Sequence, residues 1–438
     1  MRSTPTRRSK YRGSSGKRFW ILGLLVVLFA GGIFFGLYMN HLSQEDAGTA
    51  NEENNEENNA DNGEDNDAND EVNDEENEPE PEPEETFTEI TLAAAGDIMA
   101  HSTQNDSAYE NGGGSYDFKP MFEDVKSILS EADLTLANFE TTTGGADLGY
   151  SGFPMFNSPD ELIDAVSYAG VDVLTTANNH SLDTRDTGLI RTVKQIRERG
   201  IDTVGTYVDG SEDRIVVKEV EGISFGILSY TETTNGLGAQ YDPEYLDSIL
   251  NLMTKENISR DIETAKAADV DFIITFMHWG EEYMTEPNAT QVEFAEFMAE
   301  EGVDLILGSH PHVIQKSDVI ETGDGAETYV IYSMGNFISN QRVETLGEEY
   351  ANTEDGIIVN FAIEKNDLTG ETKITDVEYV PTWVYRDREE GRETYNYRIL
   401  PIESFLVDDA ISDAYKARME RSYESTISRM YDFPPVEW

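Results

Sequence analysis

Five histidines carry most of the chemistry this sequence can offer: His101, His180, His278, His310 and His312, with His41 standing apart. Each follows a short apolar run, and Asp97, Asn138, Glu140, Asn179 and Asp183 occupy matching places. Imidazole nitrogens, carboxylates and amide carbonyls without sulfur suit a divalent transition cation, Mn, Fe or Zn, better than Ca or Mg, which prefer all-oxygen shells. Two such ions ~3.5 to 4 Å apart can bridge a hydroxide and neutralise a phosphoryl group in an in-line displacement. One histidine beside an apolar run is ordinarily a hydrogen-bonded structural residue, but five in one kind of place point to a metal or catalytic site. Asp183, three residues after His180, could orient and charge that imidazole. The plainer alternative has His180 capping a helix that begins near Thr184.

Two further stretches bear on the same site. In "HWGEEY", Glu281 and Glu282 follow His278, and one of them approaches the site while Trp279 and Tyr283 wall the substrate; an acidic turn packed by aromatics is the alternative. In "LILGSHPHVIQ", an extended backbone would turn His310 and His312 to one face, because strand side chains repeat every two residues and Pro311 stiffens the chain between them. Gly335 and Asn336 in "YSMGNF" permit a sharp turn nearby.

The elements that must position these residues begin at residue 87. Val, Ile, Leu and Phe runs alternate there with amphipathic stretches of helical length, the pattern of a layered α/β domain. Strands are predicted at "EITLAAAG", "LTLANFE", "VDVLTTAN", "IDTVGT", "RIVVKEV", "ISFGILSYT", "DFIITFMHW", "VDLILGS" and "TYVIYSMGN". Helices fit "SPDELIDAVSYAG", with Ser158 as N-cap and Gly170 past its end, and "TGLIRTVKQIRERG" and "TQVEFAEFMAEEG", which close on Gly200 and Gly302. After about residue 326, strands "GIIVNFAIE", "KITDVEYVPTWVY" and "YRILPI" follow without long helices, which predicts a mixed sheet packed against the first. A helix near 408 to 428 closes the chain. Ligands of open α/β sheets gather outside the carboxyl ends of strands, so histidines more than 200 residues apart can meet there.

What precedes residue 87 reads as anchor and tether. Residues 1–18 are basic, a cytoplasmic tail; 19–38 are uncharged and apolar, long enough at ~1.5 Å per residue to span a bilayer. The positive flank keeps the amino terminus inside and places the rest outside, a single-pass extracellular arrangement at the cell membrane. A cleaved signal peptide is the alternative, although no A-x-A site follows. Residues 39–86, an acidic disordered tether, hold twenty Asp or Glu and no Lys or Arg. Setting those acids and the seven leading bases aside leaves 67 acids against 24 bases, a field that excludes nucleic acid as a partner. With no cysteine, disulfides and thiolate metal sites are excluded as well.

Taken in order, "AAAGDIMAH", "LANFETT", "LTTANNHSLD", "FMHWGEEY", "GSHPHVI" and "YSMGNFI" resemble the CapA family of poly-γ-glutamate capsule biosynthesis proteins, over about residues 88 to 385. The resemblance implies a four-layer α/β/β/α sandwich of calcineurin-like metallophosphoesterase type for residues 87–400, with 401–438 a C-terminal helical extension. It implies metal ligands at Asp97, Glu140, Asn179, His278, His310 and His312: Glu140 bridging two ions, His278 and His310 completing one shell, and His312 serving the other. It makes His180 the general acid, a role typically worth ~10² to 10⁴ in rate, with Asp183 beside it. One departure stands out. The wider superfamily opens with D-x-H, and Met99 fills the third position here; a thioether is a poor ligand for such ions. His101 either takes over that role or touches substrate, and Asn138, Glu281 and Glu282 stand open between the same two roles. The family's role implies membrane subunits of a poly-γ-glutamate synthase as partners. A metal-dependent phosphoesterase acting on a cell-envelope phosphate ester, and a non-catalytic assembly subunit, are the alternatives.

Overall fold

The computed structural model describes residues 85–433, so the expected cytoplasmic tail, membrane span and nearly all of the tether lie outside the described residues. Among the described residues no helix is long and apolar enough to cross a membrane.

β1 (Phe87–Ile98) shows how the layers arise. Successive side chains alternate across a strand. Ile90, Leu92 and Ala94 therefore enter one apolar core, and Ala93 and Ala95 enter another. Parallel to β1 run β2 (Leu134–Phe139), β3 (Val173–Thr175) and β4 (Asp202–Val204). The chain then builds a second sheet from β5 (Val216–Val220), β6 (Ile223–Thr231), β7 (Phe272–His278), β8 (Leu305–Ser309), β9 (Ser317–Glu321) and β10 (Glu327–Ile331), in the order β5-β6-β7-β8-β10-β9. β11 (Asn336–Ile338) crosses back to pair with the tip of β1, and β12 (Asp355–Asn366), β13 (Thr372–Asp387) and β14 (Asn396–Pro401) follow. The late strands correct the expectation. They do not build the opposing sheet but extend the first one antiparallel, giving β14-β13-β12-β1-β2-β3-β4. Both sheets are thus mixed, and β9, half-exposed at an edge, carried too little apolar signal to be predicted.

The sheets face each other through Ile90, Leu92, Leu136 and Val359 on one side and Phe225, Ile274, Phe276 and Leu307 on the other. Each such side chain contributes ~1.5–3 kcal/mol of burial, so the two sheets hold a fixed relation at their tips. Helices α1 (Ser102–Asn111), α2 (Glu161–Ala169) and α3 (Arg185–Arg197) cover the outside of the first sheet, with Ala108, Leu162, Val166 and Ile196 facing it. Helices α4 (Lys255–Ala267) and α5 (Ala289–Glu300) cover the second through Ile258, Ile262, Ala295 and Met298. Ser158 does not cap α2. Asp160 holds the N-cap position without a side-chain bond, and Ser158 Oγ meets Thr141 Oγ1 at 2.8 Å. Gly170 does end that helix, at φ 100°, where a side chain would be strained.

The last helix, α6 (Asp413–Ile427), is anchored to β12 by charge. Arg421 donates to both oxygens of Asp355, at 2.6 and 2.8 Å, and Asp355 is 2% exposed. Arg418 pairs with the fully buried Glu354, whose carboxylate also accepts from Val343 N and Trp383 Nε1. Removing one partner of a buried pair strands the other charge, at ~3–5 kcal/mol for a fully buried pair. Arg421 is partly exposed, so Arg421→Ala should lower unfolding stability by about 3 kcal/mol in urea titration. A change below about 1 kcal/mol would show that Asp355 finds another partner.

Candidate metal centre

The tips of both sheets are brought together by glycines. A Cβ on Gly96 would stand 2.1 Å from Gly335 O, and one on Gly308 would stand 2.1 Å from Tyr332 O. Only bare backbone lets residues 332–336 run across the ends of β1 and β8 at that distance. Gly335 turns there at φ 66°, and its carbonyl accepts from Asp97 N at 3.0 Å. The crossing fixes Asp97 at one sheet's edge and the 309–312 turn at the other.

That turn is not extended, contrary to the expectation for His310 and His312. β8 stops at Ser309, and the two histidines have φ 96° and 58°. Positive φ at a residue with a Cβ costs ~1–3 kcal/mol and persists where the surroundings over-determine it. The result differs from a shared face: His310 joins Glu140 and His278, whereas His312 joins Asp97 and Glu140, the donor atoms of each group lying within 4.8 Å of one another. Glu140 is common to both groups.

Hydrogen bonds set which nitrogen of each ring is free. Asn336 Nδ2 donates to Thr353 O at 2.9 Å, to Gln341 Oε1 at 3.1 Å and to His312 O at 3.3 Å, so its Oδ1 faces His312 Nδ1 at 3.1 Å and takes that proton. The lone pair is left on His312 Nε2, 3.8 Å from Glu140 Oε1. His278 is held the other way round: Asn138 Nδ2 donates to its Nδ1 at 3.2 Å, with Ser309 Oγ 3.0 Å from the same nitrogen, while Nε2 faces the acceptors Asn179 Oδ1 at 3.1 Å and Glu140 Oε1 at 3.5 Å, where a cation would take the place of its proton. Asn138 also donates to Asp97 Oδ1 at 2.7 Å, tying the strand tips of β1 and β2 together. Asn138 therefore supports Asp97 and His278. Ser309 and Asn336 hold rings in the same way, a role that ordinary polar residues in a sequence do not advertise.

The donor set fits a divalent cation. Glu140 is fully buried and neither of its oxygens has a hydrogen-bond donor; His310 Nδ1 is buried and equally unpartnered. An ionised carboxylate left so would cost several kcal/mol. Burial, then the charges of Asp97 and Glu282, push the Glu140 carboxyl well above the usual range. Burial pushes His278 well below its ordinary value, and burial with the neighbouring His312 brings His310 to about 4, so both rings offer lone pairs at neutral pH.

Beside these groups, His180 Nδ1 meets Asp183 Oδ2 at 2.7 Å, and the same oxygen accepts from Phe156 N at 2.6 Å. Phe156 packs nearly perpendicular to His180 at 4.7 Å between centroids and to His101 at 5.2 Å. His180 caps no helix, since Thr184 holds the N-cap position of α3. His101 is the N-cap residue of α1; its Nδ1 accepts from Asn340 N at 3.2 Å, and it joins none of the donor groups. Trp279 walls no substrate. It is fully buried in the outer core, donating from Nε1 to Tyr332 O at 3.0 Å. Tyr283 stands nearer, half-buried, 6.2 Å from the His312 ring. Glu282 reaches a group with His310 and His312; Glu281, exposed beside it, does not.

Comparison with known proteins adds a family. The model of the bacterial capsule synthesis protein PGA_cap matches residues 91–341. The chain is 29% identical over 287 residues to the capsule biosynthesis protein CapA of Bacillus anthracis, covering 64% of this chain and 65% of that one, just under two thirds of its length. It is 26% identical over 301 residues to the PGA biosynthesis protein CapA of Bacillus subtilis, 67% of this chain and 73% of that one. Among solved structures, it is similar to the NAD nucleotidase of Haemophilus influenzae at 10% identity and TM-score 0.43, over 79% of this chain and 64% of that one. A calcineurin-like phosphoesterase of Bacillus subtilis is similar at 13% identity and TM-score 0.38, over 78% and 99%.

Proposed function

Because the chain belongs to the bacterial capsule synthesis protein PGA_cap family, we propose that it takes part in making or exporting poly-γ-glutamate by means of a metal centre at the tips of its two sheets. One observation carries this: within the matched segment, two groups of buried donors share Glu140, whose oxygens have no other partner. Glu140, Asn179, His278 and His310 would hold one ion, and Asp97, Glu140 and His312 a second, of the Mn, Fe or Zn kind. Bound cations there supply charge neutralisation and Lewis acidity. The residues 19–38 support a membrane anchor with the folded part outside, and membrane subunits of a polymer synthase as partners. With 67 acids against 24 bases after residue 86, a polyanion meets repulsion over most of the surface and attraction only at a cation-filled cleft.

The His180–Asp183 pair favours a second reading, a phosphoesterase acting on an envelope phosphate ester. Asp183 fixes the proton on Nδ1, so the proton that moves is carried at Nε2, and Phe156 holds the ring plane. Metal analysis of the purified chain and assays with aryl phosphate mono- and diesters separate the readings. Absence of any bound transition metal would sink both. If the chain is a hydrolase, His180→Ala should cut turnover by ~10² to 10⁴ with metal content unchanged. Metal without turnover, together with loss of extracellular polyglutamate on gene deletion, leaves the capsule role alone.

A further inference from the structure

Glu282 lies on the turn after β7, and one of its carboxylate oxygens lies within 4.8 Å of a nitrogen on His310 and a nitrogen on His312. Those imidazoles belong one to each of the two buried groups, so Glu282 stands over both. Its position is imposed by the backbone. Tyr283 is held at φ 70°, and its N–H donates to Pro311 O at 2.7 Å, pinning the turn to the peptide between the two histidines. Independent signs of a cation site lie in the same cluster: the two unpartnered oxygens of Glu140, 0% exposed, and the unpartnered Nδ1 of His310, 6% exposed. Asp97, Glu140 and His312 alone offer three donors, one fewer than a transition cation ordinarily takes. The thioether of Met99 is a poor fourth.

We propose that Glu282 is a metal ligand, closing the centre from its solvent side. The inference rests on the metal-centre reading above. Glu281 supplies the control: it is as exposed and one residue away, yet joins no donor group.

The test uses the full-length chain, stripped with chelator and titrated calorimetrically with Mn(II) and, separately, Zn(II). Glu282→Gln should weaken at least one equivalent by about tenfold or more, whereas Glu281→Gln should bind as the parent does. The metal-free Glu282→Gln protein should melt no lower than the parent, because the change removes a like charge near Glu140. Unchanged affinity in Glu282→Gln overturns the assignment. Equal weakening in Glu281→Gln, or a lower melting point of metal-free Glu282→Gln, overturns it too, since charge or folding would then explain the loss. A parent chain that takes up neither ion overturns the centre itself, a distinct result.

Discussion

Glu140→Gln is expected to empty the whole centre, lowering affinity for every bound transition ion by more than about a hundredfold, while the metal-free protein keeps or gains stability. Both expectations come from the same geometry. Glu140 is the one carboxylate common to the two buried groups, so an amide there removes an anionic ligand from each. In the metal-free fold, the carboxylate sits at 0% exposure without a donor, beside Asp97. A buried unpaired charge costs several kcal/mol, and a buried unpaired amide only ~1–3 kcal/mol. Elemental analysis after dialysis, with melting curves in chelator and in added metal, reads both parts. Retention of half the metal would show that Glu140 serves one ion only.

Gly96→Ala should cause a large loss of stability. Its Cβ would meet Gly335 O at 2.1 Å, and both partners are backbone, so no rotamer change relieves the contact. Either β1 or the 332–336 crossing must move, and the 3.0 Å bond from Asp97 N to Gly335 O breaks with it. Overpacking typically costs ~1–3 kcal/mol, and the broken buried bond adds ~1 kcal/mol or more. We expect more than about 3 kcal/mol in urea titration and reduced metal uptake, since Asp97 is displaced. Gly323→Ala, where a Cβ meets nothing, is the control and should be neutral. A stable, metal-loaded Gly96→Ala protein would mean that the crossing can shift without carrying Asp97 along.

Much of this arrangement could be read from residues alone, for a definable reason. Buried parallel strands are continuous apolar runs, so "EITLAAAGD", "DFIITFMH" and "DLILGSH" show both the strand and the polar residue at its tip. Sheet membership was another matter. The antiparallel strands β12 and β13 bury alternating faces equally well on either sheet, and only pairing of Ile90 with Ile363 and its neighbours settles which sheet they extend. The path of His310 to His312 is not legible for a local reason: strand alternation ends with the ladder at Ser309, and nothing in two histidines signals positive φ. The supporting roles of Ser309, Asn336 and Phe156 are not legible in the sequence, because they lie in what these residues hold. The Gly-Asn pair at 335–336 was the one available hint, and it pointed to the turn, which is real, but not to the amide that orients His312.

The crossing at Gly335 also bears on the order in which this protein can be made. The hydrogen bond from His310 N to Asp97 Oδ2 joins residues 213 apart in the chain, and His278 meets Asn138 across 140. Contacts of such separation form late, after the chain entropy of the intervening segments has been lost. During synthesis, Asp97 and Glu140 emerge long before the histidines that would share a cation with them. No nascent fragment ending before residue 310 holds a complete set of donors from either group. A loaded centre would therefore show that the tips of β1, β2, β7 and β8 have met, and cation uptake would await the chain beyond residue 310.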